Sequence, residues 1–270
     1  MLGAVIGDIV GSRFEWNNHK SKDFELLTPQ CRVTDDSVMT LAIAQAVLES
    51  DGQREALAKN AVAAMRAFGR RWARGCYGGR FSRWLASDDP KPYGSFGNGS
   101  AMRVSSCAWA ASSLNDALDM ARRVTMVTHD HPEGIRGAEA VTAVIWFARY
   151  GESSEAIRKK MADSWYALDF TLDEIRDDYT FDVSCQGSVP QAIECFLEAD
   201  DFEDAIRNAV SLGGDSDTIA AMAGSMAQAR FGIPDALRIR IRPWLDQPLL
   251  DVLDSFEARF PCIGYDEKGV

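Results

Sequence analysis

One periodicity governs this 270-residue chain: apolar side chains recur at i, i+3, i+4, i+7 and i+8, the spacing that lines one face of an α-helix. Met39, Ala42, Ile43, Ala46 and Val47 follow it, as do Val189, Ala192, Ile193, Phe196 and Leu197. It returns at Phe202, Ala205, Ile206, Ala209 and Val210, and at Ile219, Met222, Ala223, Met226 and Ala227. Looser faces run through Leu57, Ala61, Ala64, Met65 and Phe68, across Ala138 to Trp146, and through Leu249, Val252, Leu253, Phe256 and Phe260. The sole strand-like alternation, Arg238-Ile239-Arg240-Ile241-Arg242, is short and reads equally as a helix end or an exposed edge. The expected fold class is all-α.

No composition shift, low-complexity tract or fixed-period repeat marks a linker, so residues 1–270 are expected to form one domain. With 46% hydrophobic and 26% charged residues the chain can build a large core, which excludes disordered and fibrous classes. A formal charge of −11 leaves no basic field for a polyphosphate backbone, so nonspecific nucleic-acid binding is disfavoured and any anionic ligand needs local donors. The longest apolar runs, such as Val141 to Ala148, fall far short of the roughly 18 residues that would span a bilayer, so no membrane partner is expected. Met1 to Ile6 lacks a basic n-region and meets Asp8 almost at once, so no secretory signal is expected and the cytoplasm is the default; the oligomeric state is open, with a monomer as the default. The six cysteines show no Cys-x-x-Cys pair and read as buried free thiols. The acidic stretch from Asp163 to Asp182 reads as a solvated, partly helical connector.

Two helices open with nearly the same chemistry, Thr34-Asp35-Asp36-Ser37 and Asp215-Ser216-Asp217-Thr218. One helix cap needs one oxygen-bearing side chain, whereas here there are four in a row, twice. Either cluster alone is explained by capping; the pair points to a shared site. If Asp35, Asp36, Asp215 and Asp217 converge, like charges at roughly 4 Å repel by about 4 kcal/mol per pair at an effective dielectric near 20, and a cation must compensate. Carboxylates and hydroxyls without nearby Cys or His suit Mg²⁺ or Mn²⁺ and argue against zinc. So much negative charge has room for two ions. Glu15, in Gly7-Asp8-Ile9-Val10-Gly11-Ser12-Arg13-Phe14-Glu15, is a third acidic candidate.

Taken together, Gly3-Ala4-Val5-Ile6-Gly7-Asp8 with Glu15, Thr34-Asp35-Asp36-Ser37, Ser95-Phe96-Gly97-Asn98-Gly99-Ser100-Ala101-Met102-Arg103, Thr128-His129-Asp130-His131-Pro132-Glu133-Gly134 and Gly213-Gly214-Asp215-Ser216-Asp217-Thr218 resemble the ADP-ribosylglycohydrolases. These are relatives of the dinitrogenase-reductase-activating glycohydrolase. The resemblance implies a helical bundle of that type with a binuclear magnesium or manganese centre that releases ADP-ribose. Carried over by motif, the metal ligands would be Thr34, Asp35, Asp36, Asp215, Asp217 and Thr218, with Asp217 bridging and Glu15 at or beside the centre. Catalytic roles would fall to Glu15, Asp35, Asp36 and Asp217. The chain departs from the family pattern at Ser37 and Ser216, where Thr is usual, and at Asp130, where Asn is frequent.

Glycine loops Gly75 to Gly79 and Gly97 to Gly99 could turn N–H groups toward a diphosphate, though such loops are also simple turns. The resemblance makes Gly78, Ser95, Gly97, Asn98, Gly99 and His129 substrate contacts. Tyr77, Phe96 and Trp84 could stack adenine or simply pack. Arg103 reads as core or as support for the site. The implied activity is metal-dependent release of ADP-ribose from a modified protein, with an arginine-type linkage foremost, or from a small ADP-ribosyl conjugate. A catalytically silent ADP-ribose binder and a metal-dependent phosphoesterase are the alternatives.

Overall fold

The computed structural model describes residues 1–72 and 77–266. Among them the chain forms fourteen α-helices, two short 3₁₀ turns and no strand, in keeping with the expected class. In chain order the helices are α1 (Leu2–Gly11), α2 (Asp35–Ser50), α3 (Arg54–Arg71), α4 (Gly79–Ala86), α5 (Ser105–Ala110), α6 (Leu114–Met126) and α7 (Pro132–Arg149). They continue as α8 (Ser154–Ser164), α9 (Leu172–Ile175), α10 (Cys185–Leu197), α11 (Phe202–Leu212), α12 (Ser216–Phe231), α13 (Asp235–Ile241) and α14 (Gln247–Arg259). Each strong apolar period falls inside one of these helices. The Arg238 to Arg242 alternation resolves as the end of α13 running into a 3₁₀ turn. In the acidic connector, α9 is a single short helix with a Thr171–Glu174 capping box.

Helix α12 is the axis of the bundle. It is buried from Ser216 through Ala229 and packs against α1, α2, α7, α10 and α11. A helix enclosed on all sides cannot keep a polar stripe, and the buried part of α12 keeps only small hydroxyls, Asp217 in its first turn and Gln228, which accepts the Gly3 N–H at 2.8 Å.

Its tightest partner is α1, and the reason is the absence of side chains between them. A Cβ at Gly3 would stand 2.2 Å from the Gly224 carbonyl oxygen, one at Gly7 2.0 Å from that of Ala220, and one at Gly11 2.5 Å from that of Ser216. Glycines four apart on α1 therefore meet small residues four apart on α12, backbone on backbone. This fixes the register of the two helices and brings Asp8, one turn before the end of α1, to the start of α12.

Cys31, Cys107, Cys185, Cys195 and Cys262 are buried free thiols, while Cys76 lies outside the described residues. No described helix is long and apolar enough to cross a membrane.

Gly7→Ala should force α1 and α12 apart and destabilise the protein by about 1–3 kcal/mol or more, read as a lowered urea midpoint. An unchanged midpoint would mean that the backbone contact does not set the register.

Candidate metal centre and cleft

Asp8 is the sole charged residue of α1 and is fully buried. Its carboxylate accepts the backbone N–H groups of Thr34 at 3.1 Å and Ser37 at 3.0 Å, together with the Thr34 hydroxyl at 2.6 Å and the Ser37 hydroxyl. Asp8 thus satisfies the open donors at the start of α2 from across the bundle. Thr34 is the N-cap of α2, its Oγ1 accepting from Asp36 N at 3.4 Å. By contrast Asp215, at the N-cap of α12, makes no capping bond with its side chain. Its Oδ2 instead accepts from the Asn98 amide at 2.6 Å.

The two helix starts meet. One carboxylate oxygen each from Asp8, Asp36 and Asp217 lie within 4.8 Å of one another, and so do oxygens from Glu15, Asp215 and Asp217. Asp217 belongs to both groups. Thr218 Oγ1 donates to Asp36 Oδ2 at 3.2 Å, and Thr218 N donates to Asp217 Oδ1 at 3.0 Å. Asp35 lines the cleft beside these groups and is a member of neither. The positive ends of α2 and α12 both face the cluster, each worth about 0.3–1 kcal/mol to a nearby anion. That does not offset repulsion of about 4 kcal/mol per close pair.

The carboxyls accordingly resist ionisation. Burial, then Asp217 and Asp8, hold Asp36 well above the usual range, and burial, then Asp215 and Glu15, do the same to Asp217. Burial and Asp8 push Asp35 up to about 8. Asp8, Asp215 and Glu15 are raised as well, burial first in each case, with Arg32 at 3.6 Å partly offsetting the rise at Glu15. Asp36 Oδ1 is buried without a hydrogen-bond partner. A hard-oxygen donor set with an orphaned carboxylate oxygen fits a divalent ion.

A cleft of about 440 Å³ runs from these carboxylates past the glycine loops. Gly78, Ser95, Gly97, Asn98, Gly99 and His129 all line it; Gly75 and Cys76 lie outside the described residues. Asn98 is committed through its amide to Asp215, so its side chain places a carboxylate. The 94–99 loop is held at both ends, Gly94 N donating to Asp130 Oδ1 at 2.6 Å and Asn98 N to Val183 O at 2.8 Å. Asp130 therefore anchors this loop. Trp84 is buried against Phe81, and Phe96 packs on the His131 ring outside the cleft lining, so neither borders the main cavity.

Several groups of the centre and the cleft were not singled out as site residues from the sequence. Asp8 had one available signal, a lone acid in an otherwise apolar helix. Trp16 and Phe181, stacked at 5.2 Å and exposed at the rim, come from two loops with no periodicity to betray them. Arg80, above the Tyr93 ring, and Met39 also border the cavity.

The family model described as ADP-ribosylglycohydrolase matches residues 1–261. The ADP-ribosylhydrolase ARH3 of Xenopus tropicalis is 28% identical over 306 aligned positions, covering 86% of this chain and 86% of that protein. The ADP-ribosylhydrolase ARH3 of Homo sapiens is 31% identical over 186 positions, covering 52% of this chain and 51% of that protein. A solved structure titled ADP-ribosylglycohydrolase-related protein complex shares the fold, with a TM-score of 0.69 at 24% identity over 98% of this chain and 95% of that one.

Asp217→Asn should raise the thermal midpoint of the metal-free protein, because it removes a charge that the fold disfavours, and should abolish the stabilisation that added Mg²⁺ confers on the wild type. Asn98→Ala, which frees Asp215, should weaken Mg²⁺ binding by about 10–100-fold in calorimetry.

Proposed function

Because this chain belongs to the ADP-ribosylglycohydrolase family, we propose that it releases ADP-ribose from arginine-type N-glycosidic conjugates on proteins, using two divalent cations, Mg²⁺ or Mn²⁺. The observation that carries this reading is the pair of carboxylate groups sharing Asp217 in a cleft of about 440 Å³ that the glycine loops also line. The ions would be held by Asp36 and Asp217 with Asp8 beside them, and by Glu15, Asp215 and Asp217, with Asp35, Thr34 and Thr218 completing the surroundings. Bound there, they would neutralise the carboxylates and act as Lewis acids toward sugar hydroxyls.

The chain's own groups then have distinct tasks. Ser95 and the Gly99 N–H present neutral donors to the diphosphate, which an acidic protein needs in order to hold an anion, while Gly97 N and Asn98 N are spent on Ser95 Oγ at 3.3 Å and Val183 O at 2.8 Å and keep the loop in shape. His129 adds a side-chain donor beside them. Glu15 stands on the loop after α1 and is part-exposed toward the cleft, so it is placed to move a proton between water or leaving group and solvent. The guanidinium of an arginine conjugate is a cation before the bond breaks and leaves as neutral guanidine, to be protonated afterwards, so an acidic cleft favours binding an arginine conjugate over a neutral one. The buried thiols suit a reducing compartment such as the cytoplasm.

A panel of arginine-, serine- and O-acetyl-linked ADP-ribosyl substrates, assayed with Mg²⁺ and with chelator, tests the proposal. Free ADP-ribose should form fastest from the arginine conjugate, only with metal, and Glu15→Gln should lower turnover by about a hundredfold or more. AMP as product would establish a phosphoesterase. Binding of ADP-ribose without turnover of any linkage would establish a silent binder.

A further inference from the structure

The cleft that gathers the carboxylates also carries a fully buried arginine. Arg103 follows the 3₁₀ turn Asn98–Ser100, is 1% exposed and borders the cavity. Among the described residues its hydrogen-bond partners are the Val124 carbonyl at 3.4 Å and Thr128 Oγ1 at 2.6 Å, and its Nε has none. Neither partner is a carboxylate. Burial lowers its pKa to about 10, which leaves it a cation at neutral pH.

Thr128 passes the influence of that charge to its neighbour. Oγ1 accepts from Arg103 and lies 2.7 Å from His129 Nδ1 and 3.3 Å from the Thr125 carbonyl. A hydroxyl has one proton, so two arrangements compete. In one, the O–H donates to Nδ1. In the other, Nδ1–H donates to Oγ1 and the hydroxyl proton goes to Thr125. The second crowds two N–H donors, one of them cationic, onto a single oxygen at 2.6 and 2.7 Å and spends the hydroxyl proton on the longer contact. The first uses the short contact, and an oxygen polarised by a guanidinium is a stronger donor and a poorer acceptor.

We infer that Arg103 and Thr128 are positioning residues that hold His129 in its Nε2–H tautomer, so that the imidazole is a fixed donor to a phosphate oxygen at the Gly97 to Gly99 loop. Nε2 abuts that loop: a side chain at Gly97 or Gly99 would begin 3.7 or 3.6 Å from it. The groups facing the ring act in the same direction. Burial, Arg103 and Arg80 keep the imidazole pKa well below 6.5, so the ring is neutral, and Tyr93, at 5.9 Å between ring centroids, is uncharged. A protonated ring would have offered Nδ1–H to an oxygen already taken by Arg103.

The inference rests on the ADP-ribose reading of the cleft for its ligand and on geometry alone for its tautomer, and the two separate in one experiment. The chain has three histidines, so long-range ¹H–¹⁵N spectra of histidine-labelled, metal-free protein can be assigned with His129→Gln. His129 should show a protonated Nε2 and an unprotonated Nδ1. A proton on Nδ1 in the wild type overturns the inference. Thr128→Ser should keep both the tautomer and ADP-ribose affinity, whereas Thr128→Val should lose the tautomer preference and bind ADP-ribose roughly tenfold more weakly while still binding Mg²⁺, which reports an intact fold. Unchanged ADP-ribose affinity in Thr128→Val overturns the link to phosphate. A wild type with the Nε2–H tautomer that binds no ADP-ribose overturns the functional reading and removes the phosphate acceptor with it.

Discussion

Mutual repulsion among Asp8, Glu15, Asp35, Asp36, Asp215 and Asp217 is the constraint around which the bundle is organised. Buried carboxylates this close raise one another's pKa values, and no helix dipole or hydroxyl supplies the missing positive charge. The fold tolerates them because the surrounding elements are held by contacts that do not involve the charges. The bare glycine face of α1 fixes α12, Asp8 satisfies the start of α2, and Asn98 fixes Asp215. The centre is thus preorganised for cations, and its like charges have little freedom to spread when the cations are absent.

The other half of the cleft solves the opposite electrostatic problem. On the proposed reading, a chain of net charge −11 has to receive a diphosphate close to a carboxylate cluster. It would do so with uncharged donors, Ser95, the Gly99 N–H and one imidazole, while its nearest buried cation stands one hydroxyl behind the ring. Set behind Thr128, the Arg103 guanidinium biases hydrogen-bond direction without neutralising the clustered carboxylates.

Much of the fold was legible because helices write a 3.6-residue period into the chain, and α2, α10, α11 and α12 each carry it without interruption. The centre was legible in part because two helix starts carried more oxygen-bearing side chains than capping can use. Thr34 shows how the plain explanation and the functional one coexist, since it does cap α2, while Asp215 occupies the cap position and does not cap. What periodicity cannot carry was missed. Asp8 sits inside an apolar helix and matters only because the glycines of α1 bring α12 against it. Trp16 and Phe181 meet from loops far apart in the chain. Asn98 was expected as a ligand contact from the family resemblance, and its engagement with Asp215 depends on a partner 117 residues away.

The glycine seam between α1 and α12 has a consequence for how such a protein can change. The spacing of the two carboxylate groups is set by the thickness of two bare helices rather than by the interlocking of side chains. Arg80, on α4, can therefore be exchanged without moving the clustered carboxylates, whereas the loop bearing Trp16 also carries Glu15 and the loop bearing Phe181 also carries Val183, which accepts from Asn98. Helix α4 is thus free to vary against the cavity, while the two loops can change only in ways that leave Glu15 and Val183 in place.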